Sequence, residues 1–176
     1  MASVFDGQIQ NRNFLSPIGF QFILEKYKKV SFFSNALRIP DISLGTTVQQ
    51  TRFKAIEVPG DQVQYGDFSL RFLVDENLEN YILIHRWITA LGFSDTHDDF
   101  KNLVTGDDAV EDPLKQFSDG TLNILNSNYN SVCRIVFNDL FPVSLTSLEF
   151  EASDNDVNYF TAEVVFKYTI YDIVEL

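Results

Sequence analysis

The stretch Asp67–Gly92, DFSLRFLVDENLENYILIHRWITALG, contains the two patterns that decide the fold class. Its first part alternates between apolar and polar residues, which predicts a β-strand with one buried face. The residues on that face are Phe68, Leu70, Phe72 and Val74. Asp75 then stands where a helix N-cap is expected and Gly92 where a helix stops. The apolar residues between them recur at helical spacing, which predicts one helix over about residues 76–91.

The predicted helix has a broad apolar face and a narrow face for water. The covered residues are expected to be Leu78, Tyr81, Ile82, Ile84, Trp87, Ile88 and Leu91. The solvent stripe is expected to be Glu79, Leu83 and Arg86. A helix with this distribution packs on a sheet or against a neighbour over most of its surface.

Outward from this stretch, further segments alternate in the same way and predict strands. They are Ile18–Leu24, Val30–Ile39, Leu122–Leu125, Val132–Phe137, Leu145–Phe150 and, as the longest, Tyr159–Ile173. In the last one, Phe160, Val164 and Phe166 are expected to face the core, packed against the face of Phe68. Seven or eight strands with one helix predict a mainly β fold, an antiparallel sandwich or barrel flanked by that helix. We expect one domain over residues 1–176.

Two segments are expected to lie outside the core. Residues 1–16 are polar and predict an N-terminal arm. Residues 40–66 predict an extended loop or hairpin, with Pro59-Gly60-Asp61 as a tight turn near its end. Loops of this length are usually functional, and pairing with another subunit would explain this one, although a surface loop with a weak strand pair is the alternative. The expected contact residues are Gly45, Thr46, Thr47, Val48, Pro59 and Gly60.

The composition excludes several classes of protein. The 176 residues carry 25 acidic against 13 basic side chains, a formal charge of −12. Tight binding to nucleic acid or to an anionic membrane needs the opposite sign. No apolar run reaches the length of a membrane span, and the first ten residues lack the pattern of a signal peptide. The single cysteine predicts no internal disulfide, so we expect a soluble protein made in a cytoplasm.

No set of residues has the pattern of a catalytic or metal site. His85 is expected to be a satisfied core histidine on the helix, and Cys133 a buried, inert thiol in a strand. His97, Asp98 and Asp99 could hold a metal, but no second histidine lies nearby and a solvated acidic loop is the simpler interpretation. The sequence also lacks a G-x-S-x-G nucleophile motif and a phosphate-binding glycine motif. We expect no enzyme activity, no cofactor and no metal.

Two rival classes of function stay open at this point. A β-sandwich module that binds carbohydrate or peptide would need exposed aromatic side chains, and Tyr159 and Tyr171 are the candidates, expected to point outward from the last strand. A hydrolase would use the acidic segment 95–112, which lacks a partner base.

Two long segments resemble the tail-tube superfamily of contractile-tailed bacteriophages. The first, Val58–Phe93, contains the run VDENLENY and a helix with a tryptophan near its end. The second, Leu140–Ile173, contains FPVSLTSLEF followed by a long alternating strand. From the start of the first to the end of the second they span about two-thirds of the chain, with the elements in the characteristic order.

The resemblance implies a β-barrel with a flanking helix and a homohexameric ring continuous with the tail tube. Within the superfamily the chain looks most similar to a tail completion or tube terminator protein, with the main tube subunit or the baseplate-proximal initiator as alternatives. The implied partners are adjacent tube, sheath or neck proteins. DNA would pass through without specific binding, and the protein would belong to a virion assembled in the host cytoplasm.

The resemblance also suggests a role for the acidic charge. Six copies of −12 give a ring of −72. Some acids are therefore expected to face the bore, where they would keep DNA from adhering. The candidates are Asp67, Glu163 and Asp172, or the segment Asp95–Asp112. The alternative is that these acids only solvate the outer surface.

Overall fold

The computed structural model describes residues 15–27, 34–92, 116–150 and 159–176, which contain nine β-strands and one α-helix. The strands are β1 Phe20–Leu24, β2 Ser34–Arg38, β3 Ile42–Gln50, β4 Ala55–Tyr65, β5 Phe68–Leu73, β6 Ser118–Leu125, β7 Ser131–Leu145, β8 Thr161–Lys167 and β9 Ile170–Glu175. The helix α1 is Glu79–Gly92. Most of the predicted arm 1–16 and the whole acidic segment 95–112, with His97, Asp98 and Asp99, lie outside the described residues.

Seven strands form one antiparallel sheet in the order β1-β6-β7-β8-β5-β2, with β9 beside β7. The remaining two, β3 and β4, pair with each other as a separate two-stranded sheet. This architecture confirms the predicted mainly β, antiparallel sandwich or barrel with one flanking helix.

The long strand β7 links the two halves of the sheet. One half contains β1, β6 and β9, and the other contains β8, β5 and β2. The first part of β7 lies between β6 and β9, and its last part, Phe141–Leu145, pairs with β8 instead. The change occurs next to Asp139, which has a φ of 57° and whose amide donates to the Asp119 carboxylate over 3.2 Å. One extra residue in β7 at this point produces a bulge, and bulges bend a strand and increase its twist. β7 therefore turns from one half of the sandwich into the other.

The core lies between these two halves and under the helix. Phe68 in β5 contacts Phe137 and Phe22 from the other half, with ring centroids 4.6 Å and 5.2 Å away. Along β5 and β8, the pairs Phe68–Phe166 and Leu70–Val164 are in register, and all four side chains are fully buried. The predicted inward face of these two strands is confirmed, with its members side by side on one sheet.

Two apolar residues at strand ends were predicted wrongly to be buried. Ile18 is 79% exposed because it precedes β1, which begins at Phe20. Phe160 is 39% exposed and packs on Phe150, 4.7 Å between ring centroids, because β8 begins one residue after it. Alternation gives the side to which a residue points, but it does not show where the facing layer ends.

Three strand boundaries also differ from the prediction. The segment Tyr159–Ile173 is two strands, since the chain leaves β8 after Lys167 and re-enters the sheet as β9 beside another part of β7. Val132–Phe137 continues without a break to Leu145, so β7 is much longer than expected. The predicted strand Leu145–Phe150 is absent, because only Leu145 belongs to a strand.

The helix begins three residues later than predicted, although Asp75 still caps it. The Asp75 carboxylate accepts the backbone N–H of Asn80, and the Asn80 side chain accepts the N–H of Asp75, each over 3.4 Å. Asn80 is fully buried and also donates to the carbonyl oxygen of Leu73 over 2.7 Å. These bonds fix the angle between β5 and α1, because they join the end of the strand to the first turn of the helix.

The covered face of α1 is narrower than predicted. Its buried residues are Asn80, Ile84, Trp87 and Ala90. His85 is exposed, so the prediction of a core histidine is wrong: it lies about 100° around the axis from Ile84, beyond the buried stripe. Ile82 is likewise exposed, whereas Leu83 is half-buried and not on the solvent face. No helix among the described residues is long and apolar enough to cross a membrane.

Cys133 was predicted to be buried and is half-buried on β7. Its register partner on one side is Ile124 of β6 and on the other Glu175 of β9. The strand β9 is short and none of its side chains is fully buried, so it covers this part of β7 incompletely.

Lys26 follows β1 and lies over the indole ring of Trp87, with its Nζ atom 4.9 Å from the ring centroid. Burial lowers the pKa of Lys26 from 10.5 to about 8. The unfolded chain therefore holds more protons than the folded chain between about pH 8 and pH 10. We expect the free energy of unfolding to increase with pH across that window.

Lys26→Met keeps the apolar stem against Trp87 and removes the charge, so it should abolish this increase. Denaturant unfolding at pH 8, 9 and 10 measures the effect as the difference between the two proteins. The window ends at pH 10 because tyrosines begin to titrate there. Equal pH dependence in the two proteins would contradict the assignment to Lys26.

Candidate assembly surface

The hairpin made by β3 and β4 is the largest described feature that the core leaves uncovered. Its strands hydrogen-bond with each other and, among the described residues, with no other strand. Large apolar side chains along it are exposed, namely Ile42, Leu44, Val48, Phe53, Ile56 and Val63. A lone two-stranded hairpin is marginally stable in water, so a face of this kind benefits from a partner.

A bulge divides the hairpin into a base and a distal part. Leu44 pairs with Val63 and Thr46 with Pro59, which leaves Gly45 opposite the extra residues of β4. A Cβ atom on Gly60 would lie 2.7 Å from the carbonyl oxygen of Gly45, so the two strands meet there only because position 60 lacks a side chain. Pro59-Gly60-Asp61 was predicted as a tight turn and forms this bulge inside β4.

The chain reverses direction at residues 51–54, the tip of the hairpin. The Thr51 N–H donates to the Lys54 carbonyl oxygen over 3.2 Å, and the Lys54 N–H donates to the Thr51 hydroxyl over 3.2 Å. Phe53, between Arg52 and Lys54, is 94% exposed. The tip is therefore a hydrogen-bonded turn that presents one aromatic ring and two cations.

Three tyrosines attach the base of the hairpin to the sandwich. The ring of Tyr65, the last residue of β4, contacts Tyr168 and Tyr171, with centroids 6.2 Å and 5.5 Å away. The Tyr168 hydroxyl donates to the Gly66 carbonyl oxygen over 2.9 Å. Burial, with smaller contributions from Tyr171 and other neighbours, raises the pKa of Tyr168 to about 12, so the donor proton is retained. Tyr171 was predicted to point outward and instead belongs to this cluster.

A comparison of the sequence with models of known protein families gives one match. The model described as phage tail tube protein matches residues 3–174, nearly the whole chain. The chain belongs to the phage tail tube protein family. No curated protein sequence matches it significantly.

Solved structures share this fold over 93–100% of the chain. A chain of the anti-feeding prophage tube terminating cap is similar with a TM-score of 0.67 and 18% identity, covering 100% of both chains. A chain from the sheath–tube complex of an extracellular contractile injection system, PVC, has a TM-score of 0.60 and 18% identity over 94% of both chains. One from the PVC sheath/tube terminator has 0.59 and 20%, covering 93% of this chain and 99% of that chain.

All six residues predicted to make assembly contacts lie in the middle of the hairpin. Gly45 and Gly60 form the bulge, and Thr46 and Pro59 are register partners beside it. Thr47 and Val48 follow in the distal part of β3. The prediction missed the tip and the tyrosine cluster. The letters Arg52-Phe53-Lys54 between two strand-like runs were the available signal for the tip.

The three acids proposed for the bore are in different environments. Asp67 forms an ion pair with Lys167, and Glu163 accepts from Arg71 over 3.3 Å, both on the outward side of the β5–β8 pair. Their charges are therefore offset locally. Asp172 is exposed on β9 and forms no ion pair with the described residues. It is the one of the three without a cationic partner among the described residues.

The two aromatic residues suggested for a ligand-binding module lie in different places and do not share a groove. Tyr159 is 81% exposed just before β8, whereas Tyr171 is half-buried at the base of the hairpin.

Proposed function

We propose that this tail tube protein forms a hexameric ring continuous with a contractile tail tube and ends the tube at its head-proximal end, as a tail completion or tube terminator protein. The observation that carries the proposal is the likeness to the tube terminating cap, in which each chain is covered completely, together with the match to the tail tube family. The exposed hairpin supports assembly, because it carries apolar surface that one subunit leaves uncovered.

The proposed partners are further copies of the chain and adjacent tube, sheath or neck proteins. Its role is structural and not enzymatic, and assembly takes place in the host cytoplasm. The main tube subunit is the alternative position within the tail, supported by the likeness to a chain of a sheath–tube complex. A tube initiator at the baseplate is the remaining position that such a ring could occupy.

Ring formation is tested directly with the purified protein. Electron micrographs should show six-fold rings, and light scattering should give six times 20.2 kDa, about 121 kDa. Long tubes formed by the protein alone would favour the main tube subunit, because a terminator stops growth. A monomer at every concentration tested would contradict the proposal.

A second candidate function is the same ring in an extracellular contractile injection system, since two of the similar structures belong to one. The two candidates differ in what the tube joins. Purified particles that carry this protein should have a DNA-filled head if it belongs to a virion, and should lack one if it belongs to an injection system.

The acidic charge leads to a prediction for the bore. We propose that Asp172 faces the bore, because it is exposed and its charge is not offset by a neighbouring cation in the described structure. Rings of the unchanged protein should then show no retention on duplex DNA at low salt. Asp172→Lys places six cations in the bore and should create retention that disappears as salt rises.

Glu76→Lys is the matched control, since it makes the same charge change at an exposed position before the helix. It should leave the ring without affinity for DNA. Equal retention by both variants would mean that total charge, not the bore, controls binding. Salt-sensitive DNA binding by the unchanged ring would contradict a non-adhesive bore.

A further inference from the structure

The tip of the hairpin differs in charge from the rest of the chain. Residues 42–65 contain Arg52, Lys54, Glu57 and Asp61, so their formal charge is zero. The full chain carries −12, and the remaining residues therefore carry all of it. Within the hairpin both cations stand at the tip, on either side of Phe53.

Three other cations on the described surface are engaged with neighbours, whereas Arg38 and Arg86 are exposed and stand singly, far apart in the sequence. Arg71 and Lys167 form ion pairs with acids, and the Arg134 guanidinium donates to the Asn123 side chain over 3.2 Å. Arg52 and Lys54 are exposed and form no ion pair with the described residues. Two cations within three residues are thus available to an outside partner.

The tip is also ordered before it meets that partner. The hydrogen bonds between Thr51 and Lys54 close the turn from both directions. A contact made by a preorganised turn loses less conformational entropy than one made by a flexible loop. Phe53 adds a large apolar area, which is the type of side chain that anchors interfaces when it enters a pocket.

We infer that the tip Arg52-Phe53-Lys54 docks into an acidic, apolar-lined surface of a second copy of this chain. This inference rests on the proposed function, because it names the chemistry by which the hairpin recognises the next subunit. Charge complementarity selects the partner. The part of another copy outside its hairpin carries a formal charge of −12, and it attracts the two cations at the tip. The contact is head-to-tail, since the tip of one copy binds a different part of the next copy. Contacts of this kind build rings or stacks.

The test compares two double variants that change the net charge equally. Arg52→Gln/Lys54→Gln removes both tip cations. Ser127→Glu/Asn128→Glu adds two negative charges at exposed positions in the turn between β6 and β7, outside the hairpin. Light scattering over a concentration series measures the concentration at which half of the protein is assembled. The first variant should raise it about tenfold or more, and the second much less.

Salt and a third variant separate charge from apolar contact. Assembly of the unchanged protein should weaken as salt rises, and Arg52→Gln/Lys54→Gln should lose most of that dependence. Phe53→Ala should weaken assembly while keeping the salt dependence. A photo-reactive phenylalanine analogue at position 53 should cross-link to a peptide of another subunit. In a mixture of light and heavy isotope-labelled protein, a cross-link between subunits joins a light peptide to a heavy one.

The outcomes also distinguish this inference from the proposed function. If the unchanged protein forms rings and the two double variants assemble equally well, only the inference about the tip is overturned. A cross-link within one subunit overturns it as well. So does binding of the unchanged protein to duplex DNA that is lost in Arg52→Gln/Lys54→Gln. Failure of the unchanged protein to assemble at all overturns both.

Discussion

Phe166→Ala is expected to lower the free energy of unfolding by about 3–5 kcal/mol, the cost of truncating a large aromatic in a filled core. Phe166 is fully buried, in register with Phe68 across the β5–β8 pair, and its ring centroid lies 6.2 Å from that of Trp87. The cavity would therefore open where the sheet meets the helix. Domains are stable by only about 5–15 kcal/mol, so the loss is a large fraction of the total.

Thermal and denaturant unfolding measure this prediction. The midpoint temperature should fall by roughly 6–20 °C, at about 2–4 °C per kcal/mol for a chain of this size. Tyr159→Ala is the matched control, because Tyr159 is an aromatic residue near the same strand whose side chain is in water. It should change the free energy of unfolding by no more than about 0.5 kcal/mol. Equal stability of Phe166→Ala and the unchanged protein would mean that the register of β8 is wrong.

Removal of the hairpin is expected to abolish ring formation without unfolding the core. Replacing Gly45–Gln62 with Asn-Gly keeps the pair Leu44–Val63 and joins it by a two-residue turn of the type that hairpins favour. The base of the hairpin, with its attachment to the tyrosine cluster, is retained. The shortened chain should be a monomer by light scattering at concentrations where the full chain is assembled.

Trp87 provides the control for folding in the same sample. It is the only tryptophan, fully buried, and its indole N–H donates to the Gln116 carbonyl oxygen over 3.0 Å. Its fluorescence should have the same wavelength maximum in the shortened and full chains and should shift in a single cooperative step on unfolding. Rings that persist in the shortened chain would exclude the hairpin as the main contact.

The elements predicted best from the sequence are those that are strongly apolar on one face. Phe68, Leu70 and Phe72 alternate without interruption, and a one-residue shift would place all of them in water, so the strand could hardly be placed otherwise. The helix was found because Asp75 and Gly92 mark its ends. Its exposed face was less certain, because Ile82 is apolar and still faces outward.

The strand boundaries depended on contacts that no local pattern contains. The alternation of residues 159–173 continues through Tyr168 and Thr169, although the chain moves there to a different part of β7. Pro59-Gly60 has the composition of a turn, but its position opposite Gly45 makes it a bulge. In both places the partner strand decides the conformation, and that strand is remote in sequence or out of simple register.

The residues proposed for assembly contacts lie in an exposed hairpin, and their role in assembly stays a prediction. The scattered apolar residues of 40–66 predicted an extended loop or hairpin, and residues 42–65 form the exposed β3–β4 hairpin. The tyrosine cluster could not be predicted, because it joins Tyr65 to residues more than a hundred positions away. Two of the three proposed bore acids turned out to have cationic neighbours across the β5–β8 pair, a relation that appears only once the register is known.

The separateness of the β3–β4 sheet has a consequence for how such proteins diversify. Because β3 and β4 pair only with each other among the described strands, a substitution in the hairpin beyond its base at Tyr65 is expected to change the free energy of the sandwich little. Selection on this segment can act on the fit to the neighbouring subunit while selection on the core acts on folding. Lineages could exchange the segment as a module and so change which subunits assemble together, and mixed populations of tails in one cell would sort by their hairpins.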